Sequence, residues 1–174
     1  MHYLIALVFL FHLRIAFSSK LNSDVLFECV FQTDDCGIVN QVGMRAKWIR
    51  QELDAGGRKG MVIAVITSGD KKQLARMITP YFDNYKETEA CLTLRLFVSG
   101  EGVSFFRVEK QTDSGFQKIL SVHTQTAHWR SFSLPIQVSQ FVRFLFEAQV
   151  NPSFGKSTVA IDKISFNVGK CPYL

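Results

Sequence analysis

Four cysteines lying downstream of an apolar N-terminus constrain this chain more than any other feature. They are Cys29, Cys36, Cys91 and Cys171. An even cysteine count behind an export signal implies two disulfides formed in an oxidising compartment. Cys29 and Cys36 are near enough to close a small loop. Cys91 opens a strongly alternating segment, and Cys171 stands almost at the C-terminus. Four cysteines allow three pairings, and spacing leaves all three open. The class that follows is an extracellular β-rich domain rather than a cytosolic enzyme.

The export signal is read from Leu4 to Leu13, a nearly unbroken apolar run that fades by Phe17. Its length suits a signal h-region of roughly 7–15 residues and falls short of the ~20 needed to span a bilayer. Ala16-Phe17-Ser18 offers small residues for a signal peptidase, so cleavage is expected after Ser18. The segment before the run, Met1-His2-Tyr3, lacks Lys and Arg, and Arg14 comes late in it. No other apolar stretch reaches ~18 residues, and Cys171-Pro172-Tyr173-Leu174 offers no hydrophobic tail for a lipid anchor, so no stable membrane insertion is expected. Residues 1–18 are thus expected to be a signal peptide and 19–174 a single secreted domain. That length can bury a real core, and 16 phenylalanines are available to fill it.

Strand patterning runs through the mature chain. Leu92, Leu94, Leu96 and Val98 share one face of a segment starting at Cys91. Val142, Phe144, Phe146, Ala148 and Val150 do the same between Gln140 and Val150, with Arg143, Glu147 and Gln149 opposite. A period of two marks a half-buried strand. Further strands are expected over Val25–Phe31, Ala46–Glu52, Gly60–Thr67, Leu74–Thr79, Val103–Lys110, Gln117–His123, Trp129–Leu134 and Ser157–Val168. Turn residues separate them, among them Ser99-Gly100-Glu101-Gly102, Asp113-Ser114-Gly115 and Asn151-Pro152-Ser153. Only Asp70–Met77 leaves room for a helical turn. Many short strands at this spacing predict an all-β fold, an antiparallel jelly-roll-like β-sandwich of two sheets stapled by two disulfides.

Several segments, taken in order, resemble one family. They are Phe27-Glu28-Cys29-Val30-Phe31 with Cys36-Gly37, Trp48, Leu74…Thr79-Pro80, Cys91-Leu92-Thr93-Leu94 with Ser99-Gly100, Trp129, Phe146-Glu147-Ala148, and Ala160-Ile161-Asp162-Lys163-Ile164 before Cys171. From Phe27 to Cys171 the chain resembles a MAM domain, an extracellular module. The resemblance implies pairing of Cys29 with Cys36 and of Cys91 with Cys171. It also implies a role in adhesion or self-association, and it adds Ile164 to a core of Leu92, Leu94, Leu96, Phe144 and Phe146. Some members bind calcium or sodium near acidic residues. Here Arg45-Ala46-Lys47-Trp48 replaces an acidic approach to the tryptophan, and Lys163 replaces the second Asp of Ala-Ile-Asp-Asp-Ile, so only Asp162 remains. A hard cation needs several oxygen ligands, and neither metal nor cofactor is expected.

Catalytic patterns are weak. His123 and His128 have no metal-ligand spacing and are read as exposed strand-end residues. No Gly-x-Ser-x-Gly elbow occurs, and no carboxylate pair stands out for glycoside hydrolysis. Gly56-Gly57-Arg58-Lys59-Gly60 lacks the spacing of a phosphate loop and is read as a hairpin turn.

Charge is uneven. Between Gln41 and Pro80 stand eight cations, Arg45, Lys47, Arg50, Arg58, Lys59, Lys71, Lys72 and Arg76, against Glu52, Asp54 and Asp70. Such an excess is a candidate basic patch for an acidic partner or sulfated glycans. The expected function is non-catalytic contact with extracellular or membrane-receptor proteins, with no nucleic acid involved. The alternative is a carbohydrate- or glycosaminoglycan-binding module, which would need an exposed aromatic platform. Phe105/Phe106 and Tyr81/Tyr85 are the candidates for it.

Overall fold

Period-two alternation and short turns leave this chain few ways to fold except as paired strands. The computed structural model describes residues 25–67, 70–83, 88–138 and 141–172; the expected signal peptide lies outside them. The strands are β1 (Val25–Cys29), β2 (Val39–Asn40), β3 (Lys47–Ala55), β4 (Arg58–Ile66), β5 (Gln73–Ile78), β6 (Phe82–Asp83), β7 (Thr88–Ser99), β8 (Val103–Thr112), β9 (Gly115–Val122), β10 (Arg130–Val138), β11 (Phe141–Val150) and β12 (Thr158–Val168), with one 3-10 turn at Pro152–Phe154.

All pairings are antiparallel. The first sheet runs β10-β7-β12-β4-β3. On the β4 side of β12, Ala160 and Ile161 pair with β4, while Ile164 to Asn167 pair with β1. The second sheet runs β2-β5-β11-β8-β9, with β6 added beside β11. The inner faces meet in one core. Leu92, Leu94 and Leu96 of β7 and Ile164 of β12 face Phe144 and Phe146 of β11, all at most 2% exposed. Phe166 packs edge-on against Phe144 at 5.0 Å between ring centroids, an arrangement aromatic quadrupoles favour. Trp48 is buried at the β3 end of the first sheet, 6.3 Å from the ring of Phe106.

One disulfide joins Cys29 at the end of β1 to Cys36 in the following turn, with Cα atoms 5.9 Å apart. The other ties Cys171, just past β12, back to Cys91 on β7, with Cα atoms 4.9 Å apart. The β3–β4 hairpin turns on Gly56 and Gly57, at φ +61° and +79°. Two positive φ values in a two-residue loop make the turn whose twist matches that of the flanking strands. A side chain at Gly56 would also strike Phe97, 2.7 Å from the added carbon.

Three features differ from the sequence expectation. The stretch allowed a helical turn, Asp70–Met77, holds most of strand β5. There Gln73, Ala75 and Met77 alternate into the core and pair with β11. The two-residue strands β2 and β6 are too short to carry a period and went unread. In β12 a bulge at Asp162 breaks the register with β7. Val159 and Ile161 face inward before it, Ile164 and Phe166 after it. An extra residue reverses the facing of everything beyond it.

Candidate functional site

With the inner faces filled by apolar side chains, the polar chemistry collects on the two outer faces. Each outer face has a fully buried carboxylate on a middle strand, held between two arginines. On the first sheet, the bulge lifts Asp162 out of register. Its carboxylate accepts Arg95 Nε at 2.7 Å and Nη2 at 2.5 Å, and also a bond from Arg58. On the second sheet, Glu147 accepts from Arg76 of β5 and Arg107 of β8. A carboxylate taken out of water is tolerated only when its lone pairs are satisfied in this way. Burial, and then the nearby charge of Arg95, lower the pKa of Arg58. The hydrogen bond to Glu147 raises that of Arg107. Asp162, the acidic residue left from the family's pattern, thus has both oxygens committed to guanidinium groups. Among the described residues, no three His, Cys, Asp or Glu side chains converge on a metal position.

The basic stretch is distributed over the sandwich. Arg58 lies on the outer face of the first sheet over Asp162, and Arg76 on that of the second over Glu147. Arg50 lies 3.9 Å from Asp35, and Lys59 lies 3.7 Å from Glu52. Lys71 and Lys72 are exposed ahead of β5, while Arg45 and Lys47 are exposed at the start of β3. Lys47 faces Ile66 across the β3–β4 ladder, and Ile49 faces Ala64. Lys47 therefore adjoins Ile49 and Ile66, which are 44% and 41% exposed on the outer face of the first sheet, whereas Val39, 59% exposed, lies beside Ile78 on the outer side of the second.

The aromatic candidates separate. Phe106 is core, and Tyr85 lies outside the described residues. Phe105 and Tyr81 are on the outer face of the second sheet, each with a guanidinium over its ring: Arg107 at 5.0 Å and Arg143 at 4.2 Å. His123 and His128 are exposed. The His123 ring takes part in a 2.9 Å hydrogen bond with Ser121 and lies 6.4 Å from Phe105. Sequence reasoning missed Arg95, Arg107, Glu147 and Lys163 as partners. The available signal was an isolated charge on the outward side of an otherwise uncharged stretch of strand, as with Arg95 on β7 and Glu147 on β11.

A two-sheet antiparallel sandwich, with its carboxylates locked between arginines on the outer faces and its ends tied by disulfides, defines an all-β module of the jelly-roll class. The chain belongs to the MAM domain (meprin/A5/mu) family, whose model matches residues 29–172. A comparison with curated proteins finds no significant sequence match. Among solved structures, the CBM22-1 xylan-binding domain of Paenibacillus barcinonensis Xyn10C is similar, with a TM-score of 0.59 at 12% identity, covering 86% of this chain and 97% of that one. The K3 cleaved adhesin domain of Lys-gingipain from Porphyromonas gingivalis is similar with a TM-score of 0.61 at 11% identity, covering 84% and 99%. At such identities the likeness is one of fold. Among the described residues, no helix is long and apolar enough to cross a membrane.

Proposed function

We propose that this protein is a secreted, non-catalytic recognition module that binds extracellular or receptor proteins through the outer face of the β3–β4 hairpin. One observation carries the reading. Ile49 and Ile66 are exposed on the outer face of the β3–β4 hairpin, with Lys47 directly across from Ile66 and Arg45 exposed just ahead of it. Contiguous apolar surface with a polar rim is characteristic of protein contact sites, and the cations select a partner with an acidic rim. Family membership supports an adhesion-type role. Removal of residues 1–18 on export fits two disulfides, which persist in oxidising compartments.

The glycan-binding alternative draws on the xylan-binding domain among the structural neighbours. Against an open sugar platform, the Phe105 and Tyr81 rings are each covered by an arginine.

The test is binding of the fluorescent, disulfide-intact protein to cells of a panel. Protein contact predicts a component of binding that trypsin removes and that remains after glycan lyase treatment. It also predicts a loss of about tenfold in affinity for Ile49→Ser/Ile66→Ser and for Arg45→Glu/Lys47→Glu. Binding that wholly resists trypsin, or that both double variants retain in full, rejects the reading.

A further inference from the structure

On the outer face of the first sheet, three adjacent strands present Ser131, Arg95 and Lys163 in one cross-strand row. Ser131 faces Arg95 across β10–β7, and Arg95 faces Lys163 across β7–β12. The next row places Ser133, Thr93, Ser165 and Glu28 side by side on β10, β7, β12 and β1. Between the rows lies a cavity of about 170 Å³ lined by Thr93, Leu94, Arg95, Ser131 and Lys163.

Its chemistry is one-sided. Two cations stand directly opposite each other, an arrangement that costs stability in a sheet. Each is tethered to a carboxylate outside the cavity lining. Arg95 commits Nε and Nη2 to Asp162, which turns Nη1 away from that carboxylate, and Lys163 Nζ donates to Glu28 at 2.9 Å. The cavity lining has no carboxylate, and it adds the hydroxyls of Thr93 and Ser131. Arg58, Arg95 and Lys163 against Asp162 and Glu28 leave one net positive charge. The tethers hold the cations apart and in place, so a ligand meets a preorganised set of donors. An oxyanion seated between them would remove the Arg95–Lys163 repulsion and accept from both cations and both hydroxyls.

We propose that this cavity is a binding site for the sulfate group of a sulfated saccharide. Inorganic sulfate or phosphate offers the same oxyanion. The saccharide is favoured because the outer face continues past the cavity to the half-exposed Ser133 and Thr93, beside which a sugar ring can lie, while the buried Ser165 holds the Thr93 hydroxyl in place at 2.6 Å. This site shares no residue with the β3–β4 contact face and does not depend on the protein-contact reading.

The experiment is titration calorimetry of the folded, disulfide-intact protein at ~0.15 M salt, where exposed long-range attraction is screened beyond ~8 Å. The probes are a heparin hexasaccharide, the same hexasaccharide fully desulfated, sodium sulfate and sodium phosphate. The sulfated hexasaccharide should bind saturably and the desulfated one should not. Lys163→Gln should weaken binding by about tenfold and Ser131→Ala by about threefold. Lys118→Gln, which removes the same charge on β9, should change it by less than about twofold. Melting temperatures of the variants establish that they are folded. Undiminished affinity in folded Lys163→Gln, equal losses in Lys163→Gln and Lys118→Gln, or no binding of the hexasaccharide overturns the proposal. Inorganic sulfate or phosphate binding as tightly as the hexasaccharide overturns the saccharide assignment.

Discussion

Asn40 closes the open edge of β3 at Trp48. Its Nδ2 donates to the Trp48 carbonyl at 2.8 Å, and its Oδ1 accepts the Trp48 N–H at 2.7 Å. One side-chain amide thus stands in for a strand residue where the first sheet would otherwise offer a free donor and acceptor. The same residue belongs to β2, which pairs with β5 of the second sheet, so Asn40 ties the two sheets along one side of the sandwich. Unpaired edge groups are the usual template for strand-to-strand aggregation.

Asn40→Ala should therefore have two effects. Loss of two hydrogen bonds should cost about 1–3 kcal/mol in chemical denaturation. Sedimentation velocity should also show stronger concentration-dependent self-association than in the wild type. A variant of unchanged stability and unchanged self-association would show that water replaces the amide without penalty.

The two disulfides should contribute unequally. Cys29–Cys36 spans 7 residues of sequence and Cys91–Cys171 spans 80. On chain-entropy arithmetic these contribute roughly 2.5 and roughly 4.5 kcal/mol. Replacing Cys91 and Cys171 together by Ser should lower stability and secreted yield more than replacing Cys29 and Cys36 together. Non-reducing peptide mapping checks the connectivity, and a linked Cys36–Cys91 peptide contradicts it.

Glu147 should be hard to remove. With its side chain fully buried between Arg76 and Arg107, Glu147→Ala removes the anion the two guanidiniums share and leaves only Glu109, 3.5 Å from Arg107, beside them. Breaking one member of such a cluster costs about 3–5 kcal/mol. The loss is read as a fall in denaturation midpoint, and restoration by Arg76→Met/Arg107→Met in the Glu147→Ala background would assign it to the unpaired cations. A loss under about 1 kcal/mol would mean the arginines swing into solvent at little cost.

Phe146 faces the first sheet from the centre of β11 and is fully buried. Phe146→Ala should cost about 3–5 kcal/mol, because the tight core around it collapses only in part. An unchanged melting temperature would sink the facing assigned to β11.

Much of the sandwich can be read along the chain, because the side-chain period of a strand is local. Leu92, Leu94 and Leu96 alternate with Thr93 and Arg95, and Phe144 and Phe146 alternate with Arg143 and Glu147, whatever the strands pair with. The Gly56-Gly57 turn and the even cysteine count are legible for the same reason. β12 is not, since the bulge at Asp162 reverses its facing and is set by pairing with β7, a partner distant in sequence. Glu147 could be placed on the outer side of β11, yet its burial comes from Arg76 and Arg107.

The basic stretch marks the same boundary. A run of cations between Arg45 and Arg76 is a property of the sequence, and so is the excess of charge. Which of those cations meet solvent is decided by the sandwich, which carries Arg58 to Asp162 on one outer face and Arg76 to Glu147 on the other. Strand period, turn chemistry and disulfide count were determined by the sequence alone, because each depends on neighbours a few residues away. Only the tertiary structure decided the charge pairing, the Arg95–Lys163 cavity and the exposed β3–β4 face, because electrostatic contact depends on distance in space.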